Sequence, residues 1–314
     1  MAALTVESIQ ETIPGGDRDV FVPRAGQNFV VTDEVVQICE RALAYFEAGY
    51  AVHLAGLSGV GKTTLAFHLA SLVGQPAVLM QGNHEMGASE ILGSNTGYRR
   101  SRVVDNFIHT VLKTEEEMRQ FWVENRLARA CRKGYTLIYD EFNRSPPEAN
   151  NVLLSVLEEG LLNLPAGADQ GYVRVHPRFR AIFTSNPEEY AGTHRTQDAL
   201  LDRMITIRLR PLGTSAEVEI ASQHSGLSPQ VVSGIQRLVA AMREEKLLPQ
   251  RPSIRTTLAL SKVVARKGLQ LPRDRKLFLA IAQDVILSAA HQLPASSYDQ
   301  LVAALHRAAE EILG

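Results

Sequence analysis

The chain has 314 residues, of which 45% are hydrophobic and 21% are charged, values typical of a globular protein of about two domains. Its formal net charge of −1 argues against a general attraction to nucleic acid or to anionic membranes. No apolar run approaches the roughly 20 residues of a membrane helix and no secretory signal is recognisable, so we expect a cytoplasmic protein with neither nucleic acid nor membrane as a partner.

The first part of the chain alternates helices and strands. Residues 1–20 are polar and contain glycine and proline, which indicates a flexible tail. A helix follows the N-cap residue Thr32. A buried strand over 50–56 then leads through a glycine-rich loop into a helix that ends at Gly74, and a second strand covers 76–80. This order predicts a parallel sheet with right-handed crossovers.

The segment after the second strand interrupts this regular plan. Residues 81–113 are irregular and rich in glycine, which indicates an insertion. Thr114 and Glu117 have the spacing of a capping box, which predicts a helix that carries Trp122.

Three further strands complete the predicted sheet. They cover 135–139, 180–186 and 204–209. After the first of them, a helix is expected to end at Gly160, and two short alternating runs predict a β-hairpin over about 161–177.

The alternation of strands and helices stops after residue 212, and residues 215–314 read as four or five helices. We therefore predict an α/β domain over 21–212, with a parallel five-stranded sheet covered by helices on both faces. A C-terminal all-helical domain over 213–314 is expected to follow it.

A phosphate-binding loop follows the predicted strand over 50–56. The stretch "GLSGVGKT" matches G-x-x-x-x-G-K-[ST] and lies between a strand and a helix, as this motif requires. Its glycines let backbone N–H groups approach phosphate oxygens, and the helix N-terminus adds partial positive charge. We expect Lys62 to reach the β- and γ-phosphates and Thr63 to offer its hydroxyl to Mg²⁺. The predicted nucleotide-binding residues of this segment are Gly56, Leu57, Ser58, Gly59, Val60, Gly61, Lys62, Thr63 and Thr64.

Two adjacent carboxylates end the next predicted strand, in "TLIYDEFNR". Neighbouring negative charges repel each other and are costly to desolvate unless a cation lies nearby. We expect Asp140 to hold Mg²⁺ beside Thr63, directly or through water. Glu141 would then turn a free carboxylate toward the γ-phosphate and act as general base for the attacking water. The alternative is a pair of solvated loop charges.

Three polar residues could complete a catalytic site. Asn186 ends a predicted strand and could hold the attacking water, or it could simply form the turn before Pro187. Arg203 lies at a helix–strand junction, where it could cap its own helix or reach a neighbouring subunit's γ-phosphate as an arginine finger. Arg255 begins a helix of the C-terminal domain and could close over the nucleotide. A surface ion pair is the alternative for both arginines.

Together these motifs resemble the AAA+ ATPases, and within them the MoxR-like group. "DEFNRSPPEANNVLLSVLEEG" looks like the Walker B segment and following helix of that group. The hairpin over 161–177 is similar to its pre-sensor insertion, and residues 81–113 are similar to its helix-2 insertion. A closer similarity, to the gas vesicle protein N family, is carried by "GYRRSRVVDNFIHTVLKTEEEM", "CRKGYTLIYDEFNRSPPEANNVLLSVLEE" and "FRAIFTSNPEEYAGTHRTQDALLDR".

The resemblance implies an ATP- and Mg²⁺-dependent hydrolase with the P-loop AAA+ fold and a helical lid domain. It also implies a ring of the hexamer type that acts in gas vesicle assembly and growth, with vesicle shell and accessory proteins as partners. The family's motifs assign Lys62 and Thr63 to Walker A, Asp140 and Glu141 to Walker B, Asn186 to sensor 1, Arg203 to the finger and Arg255 to sensor 2.

The same resemblance suggests surfaces for contact. Arg144 and Arg195 are basic residues that could face a subunit interface. The loops over 83–100 and 165–172 are candidate contact surfaces for the protein substrate.

Other functions stay open at this point. A nucleic-acid motor would need a local basic groove, which the net charge does not favour. A small-molecule kinase of the same loop type would need an acceptor and has no use for a base glutamate beside the metal ligand. A nucleotide-dependent scaffold on the vesicle would bind ATP and scarcely hydrolyse it.

Overall fold

The structure of the protein is a computed structural model. It describes residues 19–24, 26, 29–105, 113–164, 171–186, 198–271 and 273–313, and over 94–123 it describes the backbone alone. Most of the predicted tail over 1–20 therefore lies outside the described residues.

Strands of three sheets are found in these residues. They are β1 (Val20–Phe21), β2 (Ala51–Ala55), β3 (Ala77–Gln81), β4 (Gly93–Asp105), β5 (Lys113–Glu124), β6 (Thr136–Asp140), β7 (Leu161–Asn163), β8 (Tyr172–Arg174), β9 (Arg180–Ser185) and β10 (Met204–Arg208). The central sheet has the order β1-β3-β6-β9-β2-β10, and β4–β5 and β7–β8 are separate two-stranded sheets.

The α-helices lie between the strands in the chain and continue after the last strand. They are α1 (Asp33–Glu47), α2 (Lys62–Val73), α3 (Ala88–Leu92), α4 (Arg126–Lys133), α5 (Pro147–Asn150), α6 (Val152–Glu158), α7 (Asp198–Leu201), α8 (Thr214–Ser225), α9 (Pro229–Arg243), α10 (Ile254–Lys267), α11 (Arg275–Ile286) and α12 (Ala295–Leu313). None of the helices described is long and apolar enough to cross a membrane.

The five predicted parallel strands are confirmed as β2, β3, β6, β9 and β10, each paired in parallel with its neighbour. One strand was missed. Val20 and Phe21 are buried and pair antiparallel with Val78 and Ala77, so β1 forms an extra edge of the sheet. Val20, predicted to belong to the tail, is therefore part of the core.

Apolar cores cover both faces of the sheet, as predicted. Along β6, Leu137 and Tyr139 point into a core shared with α4 to α6, whereas Ile138 points into a core shared with α1 and α2. Successive residues of a strand face opposite sides, and a parallel sheet buried on both faces reads as a continuous apolar run. That is why "TLIY" has no polar alternation.

The predicted helix from Thr114 is wrong, because this segment is the strand β5. Thr114 and Glu117 pair with residues of β4, and the antiparallel hairpin extends to Glu124. The insertion is therefore longer than the predicted 81–113, and the next helix, α4, begins only after the hairpin. A capping box is a local signal, and here the facing strand satisfies the backbone hydrogen bonds instead.

The predicted helix that ends at Gly160 is divided into α5 and α6 at Asn151. The adjacent Asn150 is buried, and its side chain joins Tyr139 and Phe142: its Oδ1 accepts from the Tyr139 hydroxyl at 3.1 Å, and its Nδ2 donates to the Phe142 carbonyl at 3.2 Å. The hairpin expected after it is confirmed as β7–β8. Residues 165–170 of the candidate contact loop lie outside the described residues.

Five helices, α8 to α12, make up the described chain after β10. The apolar side chains of α9 to α12 form a core of their own, with Leu238, Leu260, Phe278 and Leu305 completely buried. Proline at the first position of α9 fits the helix start, since its missing N–H needs no partner there.

A buried histidine links three strands beside the glycine-rich loop. His53 in β2 has its Nδ1 2.9 Å from Thr206 Oγ1 in β10 and its Nε2 2.8 Å from Ser185 Oγ in β9. Burial lowers the pKa of His53 to about 4, so the ring is neutral near pH 7. The strands β2, β9 and β10 are thus joined by these side-chain contacts as well as by their backbone hydrogen bonds.

Candidate functional site

The glycine-rich loop runs from the end of β2 to the first turn of α2. Lys62 is only 8% exposed, and its Nζ donates to the carbonyl oxygens of Gly56 and Leu57, each at 2.8 Å. The remaining predicted loop residues between Gly56 and Thr64 are partly buried or exposed. One cation and the positive end of α2 therefore lie at a loop that a phosphate can reach.

Asp140 lies at the end of β6 and accepts hydrogen bonds from two hydroxyl groups. Thr63 Oγ1 lies 2.9 Å from Oδ1 and 3.1 Å from Oδ2 of Asp140. Thr184 Oγ1, on the neighbouring strand β9, lies 2.5 Å from Oδ1. The structure thus brings Thr63 and Asp140 together and adds a buried threonine that sequence reasoning missed.

The pair formed by Thr63 and Asp140 fits Mg²⁺ by the chemistry of its donors. Hydroxyl and carboxylate oxygens are the hard ligands this ion takes, and Mg²⁺ is commonly held by one or two carboxylates together with water and substrate phosphates. The neighbouring loop with Lys62 supplies the place for such phosphates.

Glu141 adopts an unusual backbone conformation. Its φ of 52° and ψ of 40° are left-handed, and among the described residues it is the only one other than glycine with a positive φ. Such conformations cost about 1–3 kcal/mol and persist only where the surroundings enforce them. Here the Glu141 N–H donates to Thr184 Oγ1 at 2.9 Å, and its carbonyl accepts the Arg144 N–H at 2.9 Å.

Gly82, directly after β3, packs against this turn. Its N–H donates to the Asp140 carbonyl at 2.8 Å. A Cβ at Gly82 would lie 2.1 Å from the Glu141 carbonyl oxygen, which is closer than any real contact. Only glycine fits there with the present position of Glu141. The signal that could have found it is a glycine placed directly after a predicted strand of the sheet.

The expected free carboxylate of Glu141 is wrong for this structure. Its Oε2 lies 3.0 Å from Arg144 Nε, in an ion pair of i,i+3 spacing. The reason is the short 3-10 turn Phe142–Arg144, which brings these two side chains to one side. Arg144, predicted to face a subunit interface, is therefore also a partner of Glu141 within its own chain.

Asn186 is 5% exposed and lies directly after β9. Its carbonyl accepts from Asn143 Nδ2 at 3.1 Å, which joins the end of β9 to the turn after Glu141. The preceding Ser185 carbonyl accepts the Gly56 N–H at 3.3 Å. Asn186 thus lies between the glycine-rich loop and the turn that carries the acidic pair. Pro187, the basis of the alternative role as a turn residue, lies outside the described residues.

Arg203 lies between α7 and β10 and is bound within its own chain. Its Nε donates to Glu158 Oε2 at 2.8 Å, its Nη2 contacts the same oxygen, and its Nη1 donates to the Ala199 carbonyl of α7. Capping of the preceding helix and a surface ion pair, the two predicted alternatives to the finger role, are therefore both present in the single chain. Arg195, the other candidate interface arginine, lies outside the described residues.

Arg255 is exposed at the start of α10, and the turn before it reaches the glycine-rich loop. Ser253 caps α10, and its Oγ accepts the Arg255 N–H at 3.3 Å. A Cβ built on Gly59, whose φ is +84°, would lie 2.7 Å from Ser253 Oγ. The helical region therefore packs directly on the loop. Sequence reasoning missed Ser253, although an N-cap serine before an arginine is visible in "RPSIRTT".

Comparisons with known proteins show which family the chain resembles. Residues 51–204 match the family profile of the AAA domain (dynein-related subfamily). Gas vesicle ATPase GvpN of Ancylobacter aquaticus is 44% identical over 269 residues, which cover 85% of this chain and 75% of that protein. Gas vesicle ATPase GvpN of Haloferax mediterranei is 39% identical over 271 residues, covering 85% of this chain and 76% of that protein.

A solved structure supports the fold. A mutant of RuvB from Thermotoga maritima has a TM-score of 0.52 at 17% identity, over 82% of this chain and 72% of that one. At this identity the likeness concerns the arrangement of the backbone alone.

Replacing Gly82 with alanine should displace the Glu141 turn. The added Cβ would collide with the Glu141 carbonyl, which is backbone and has no rotamer by which to move away. The sequence predicts Glu141 as the general base, and we therefore expect ATP turnover to fall by at least about 100-fold, the lower end of what such a group contributes. The rate of phosphate release measures it.

Gly87→Ala is the matched control on the same loop, because its Cβ would meet only Ser89 Oγ at 3.8 Å. Equal turnover in the two variants would contradict the positioning of Glu141 by Gly82.

Proposed function

Since the chain belongs to the gas vesicle ATPase GvpN family and is an AAA-domain ATPase, we propose that it hydrolyses Mg²⁺-ATP in gas vesicle assembly and growth. In this proposal a homo-oligomeric ring associated with the vesicle remodels or delivers shell or accessory proteins. The observation that carries the catalytic part is the meeting of Thr63, Asp140 and Thr184 beside Lys62, with Glu141 held next to them.

Each of these residues has a role in the proposed reaction. Lys62 binds the β- and γ-phosphates, since its ammonium group already lies within the loop. Thr63 and Asp140 hold Mg²⁺, which neutralises phosphate charge when bound. Glu141 accepts a proton from the attacking water, and Asn186, next to the same turn, orients that water.

The ion pair with Arg144 is compatible with the role of Glu141. Both side chains are about one-third exposed, and pairs of this kind contribute at most about 1 kcal/mol. The carboxylate can therefore leave Arg144 for a bound water at little cost.

Arg203 is proposed to act on the neighbour's nucleotide in the ring. Its partner Glu158 is more than half exposed, so this ion pair lies at the surface, where another subunit can approach. The bond to the Ala199 carbonyl holds the arginine at the end of α7, where its side chain is 26% exposed. Arg255 is proposed as the contact that the helical region makes with the nucleotide.

The proposed role in remodelling or delivering shell subunits rests on how such subunits associate. Subunits that associate through large self-complementary surfaces are prone to associate off pathway. An ATP-driven ring can separate or deliver such subunits, because hydrolysis makes its binding states alternate. A scaffold that only binds ATP cannot do this repeatedly.

Glu141→Gln should bind Mg²⁺-ATP normally and lose hydrolysis. The amide keeps the size of the side chain and cannot take the proton of the water, a loss of roughly 10²–10⁴ in rate. Titration with a fluorescent ATP analogue and a phosphate-release assay measure the two effects separately. Glu148→Gln, which removes an exposed carboxylate seven residues further on, serves as control. Hydrolysis at the wild-type rate would refute the assignment of the base.

Arg203→Ala should bind ATP and hydrolyse it slowly, since arginine fingers contribute about 10³–10⁵ in rate. Mixing it with Lys62→Ala should restore part of the activity, because some interfaces then combine an intact loop with an intact arginine. Glu158→Ala is the control, since it removes the ion pair and keeps Arg203 with its bond to the Ala199 carbonyl. If Glu158→Ala is as inactive as Arg203→Ala and mixing restores nothing in co-assembled rings, the arginine acts only within its own chain.

Cells that make gas vesicles with the Glu141→Gln protein should contain few or stunted vesicles at normal levels of shell protein. Electron microscopy gives vesicle size and number, and immunoblotting gives the amount of shell protein. Full-sized vesicles in normal number, with Glu148→Gln cells as reference, would reject the hydrolysis-driven role and favour the nucleotide-dependent scaffold.

A further inference from the structure

A buried carboxylate occupies the helical region, away from the acidic pair. Glu217 in α8 is 1% exposed and accepts four hydrogen bonds from three side chains. Thr257 of α10 donates to Oε1 at 2.7 Å, and Gln236 of α9 donates to Oε2 at 3.3 Å. Arg243, at the end of α9, grips both oxygens with its two terminal nitrogens. Glu217 therefore joins α8, α9 and α10.

Arg243 extends this network to the turn before α10. Its remaining nitrogen, Nε, donates to the Pro252 carbonyl at 2.8 Å. A guanidinium group is planar and presents its donors in a fixed fork. Because Glu217 holds one edge of that fork, the position of Pro252 relative to α8 is fixed as well.

The turn held in this way touches the glycine-rich loop. Ser253 follows Pro252 directly, and its Oγ and Cβ lie 2.7 and 2.8 Å from the place of a Cβ on Gly59. A second contact lies at the start of the loop, where a Cβ on Gly56 would be 2.9 Å from the Leu209 carbonyl. Leu209 lies between β10 and α8, and Ser253 lies directly before α10. The loop therefore contacts the chain both before α8 and before α10, two of the helices that Glu217 joins.

We propose that Glu217 is a positioning residue of the nucleotide site. Through Arg243 and the Pro252 carbonyl it sets the Ser253 turn against Gly59, and so places Arg255 and the start of α10 beside the bound nucleotide. The inference rests on the proposed function, since it assigns Glu217 to the binding of the same ATP. Glu217 acts through other residues and is given no contact with ATP itself.

A purely stabilising role would have different consequences. Buried ion pairs often add little net stability, because desolvation offsets the Coulomb attraction, whereas removing one partner leaves an uncompensated charge. Loss of stability alone would lower the melting temperature and leave the affinity for ATP unchanged at temperatures where the protein stays folded. Positioning predicts a change of affinity under those same conditions.

The test uses Glu217→Gln in the full chain, assayed well below its melting temperature. We expect the KM for ATP and the Kd for ADP to rise about five- to tenfold, a typical size for coupling between sites. We expect kcat at saturating ATP to change less than about twofold, because bound nucleotide restores the position of the turn by mass action. Glu219→Gln, which removes an exposed carboxylate from the same helix, should leave both constants unchanged.

Arg243→Lys and Thr257→Val keep the test decisive if Glu217→Gln does not fold. Arg243→Lys retains the positive charge and loses the planar guanidinium group that binds both Glu217 oxygens. Thr257→Val removes the hydroxyl that donates to Glu217 at nearly constant side-chain volume. Both should raise the Kd for ADP in the same direction as Glu217→Gln. Unchanged Kd values in folded variants, with only the melting temperature lowered, would overturn the inference. A wild-type protein that binds no ADP would instead contradict the proposed function itself.

Discussion

The Asp140 carboxylate is the point at which the nucleotide site is assembled. It closes β6 with a negative charge, and two hydroxyl groups from different elements bind it: Thr63 from the first turn of α2 and Thr184 from β9. A carboxylate at a strand end needs such donors or a cation, because desolvation without them is costly. These bonds join the first turn of α2, and with it the phosphate-binding loop, to the paired strands β6 and β9.

Thr184 also determines the geometry of the next residue. The same hydroxyl that donates to Asp140 accepts the Glu141 N–H, so one side chain fixes both members of the acidic pair. Gly82 packs against the left-handed turn at Glu141, so closely that position 82 has no room for a side chain. Backbone strain at Glu141 is thus maintained by tertiary contacts, as is common for residues at functional sites.

The helical region is attached to this site through backbone and small side chains. Ser253 contacts the glycine-rich loop at Gly59 and Leu209 contacts it at Gly56. The buried Glu217 network holds the Ser253 contact in place. In the proposed function, a change at the phosphates would therefore reach α8, α9 and α10 directly. This coupling is short, because Arg243 binds the Pro252 carbonyl and the next residue, Ser253, contacts the loop at Gly59.

The amino-acid sequence by itself determined the features that depend on local spacing. The phosphate-binding loop, the acidic pair after an apolar strand and the alternation of strands and helices all follow from residues close together in the chain, and the five parallel strands were found in this way. The helix predicted from Thr114 was wrong, because its capping box competed with a facing strand. Only the tertiary structure decided the contacts between distant residues: Thr184 with Asp140, 44 positions apart, and Glu217 with Thr257, 40 positions apart. No local pattern specifies such pairs, because they exist only once the sheet register and the helix packing bring the two side chains within hydrogen-bonding distance.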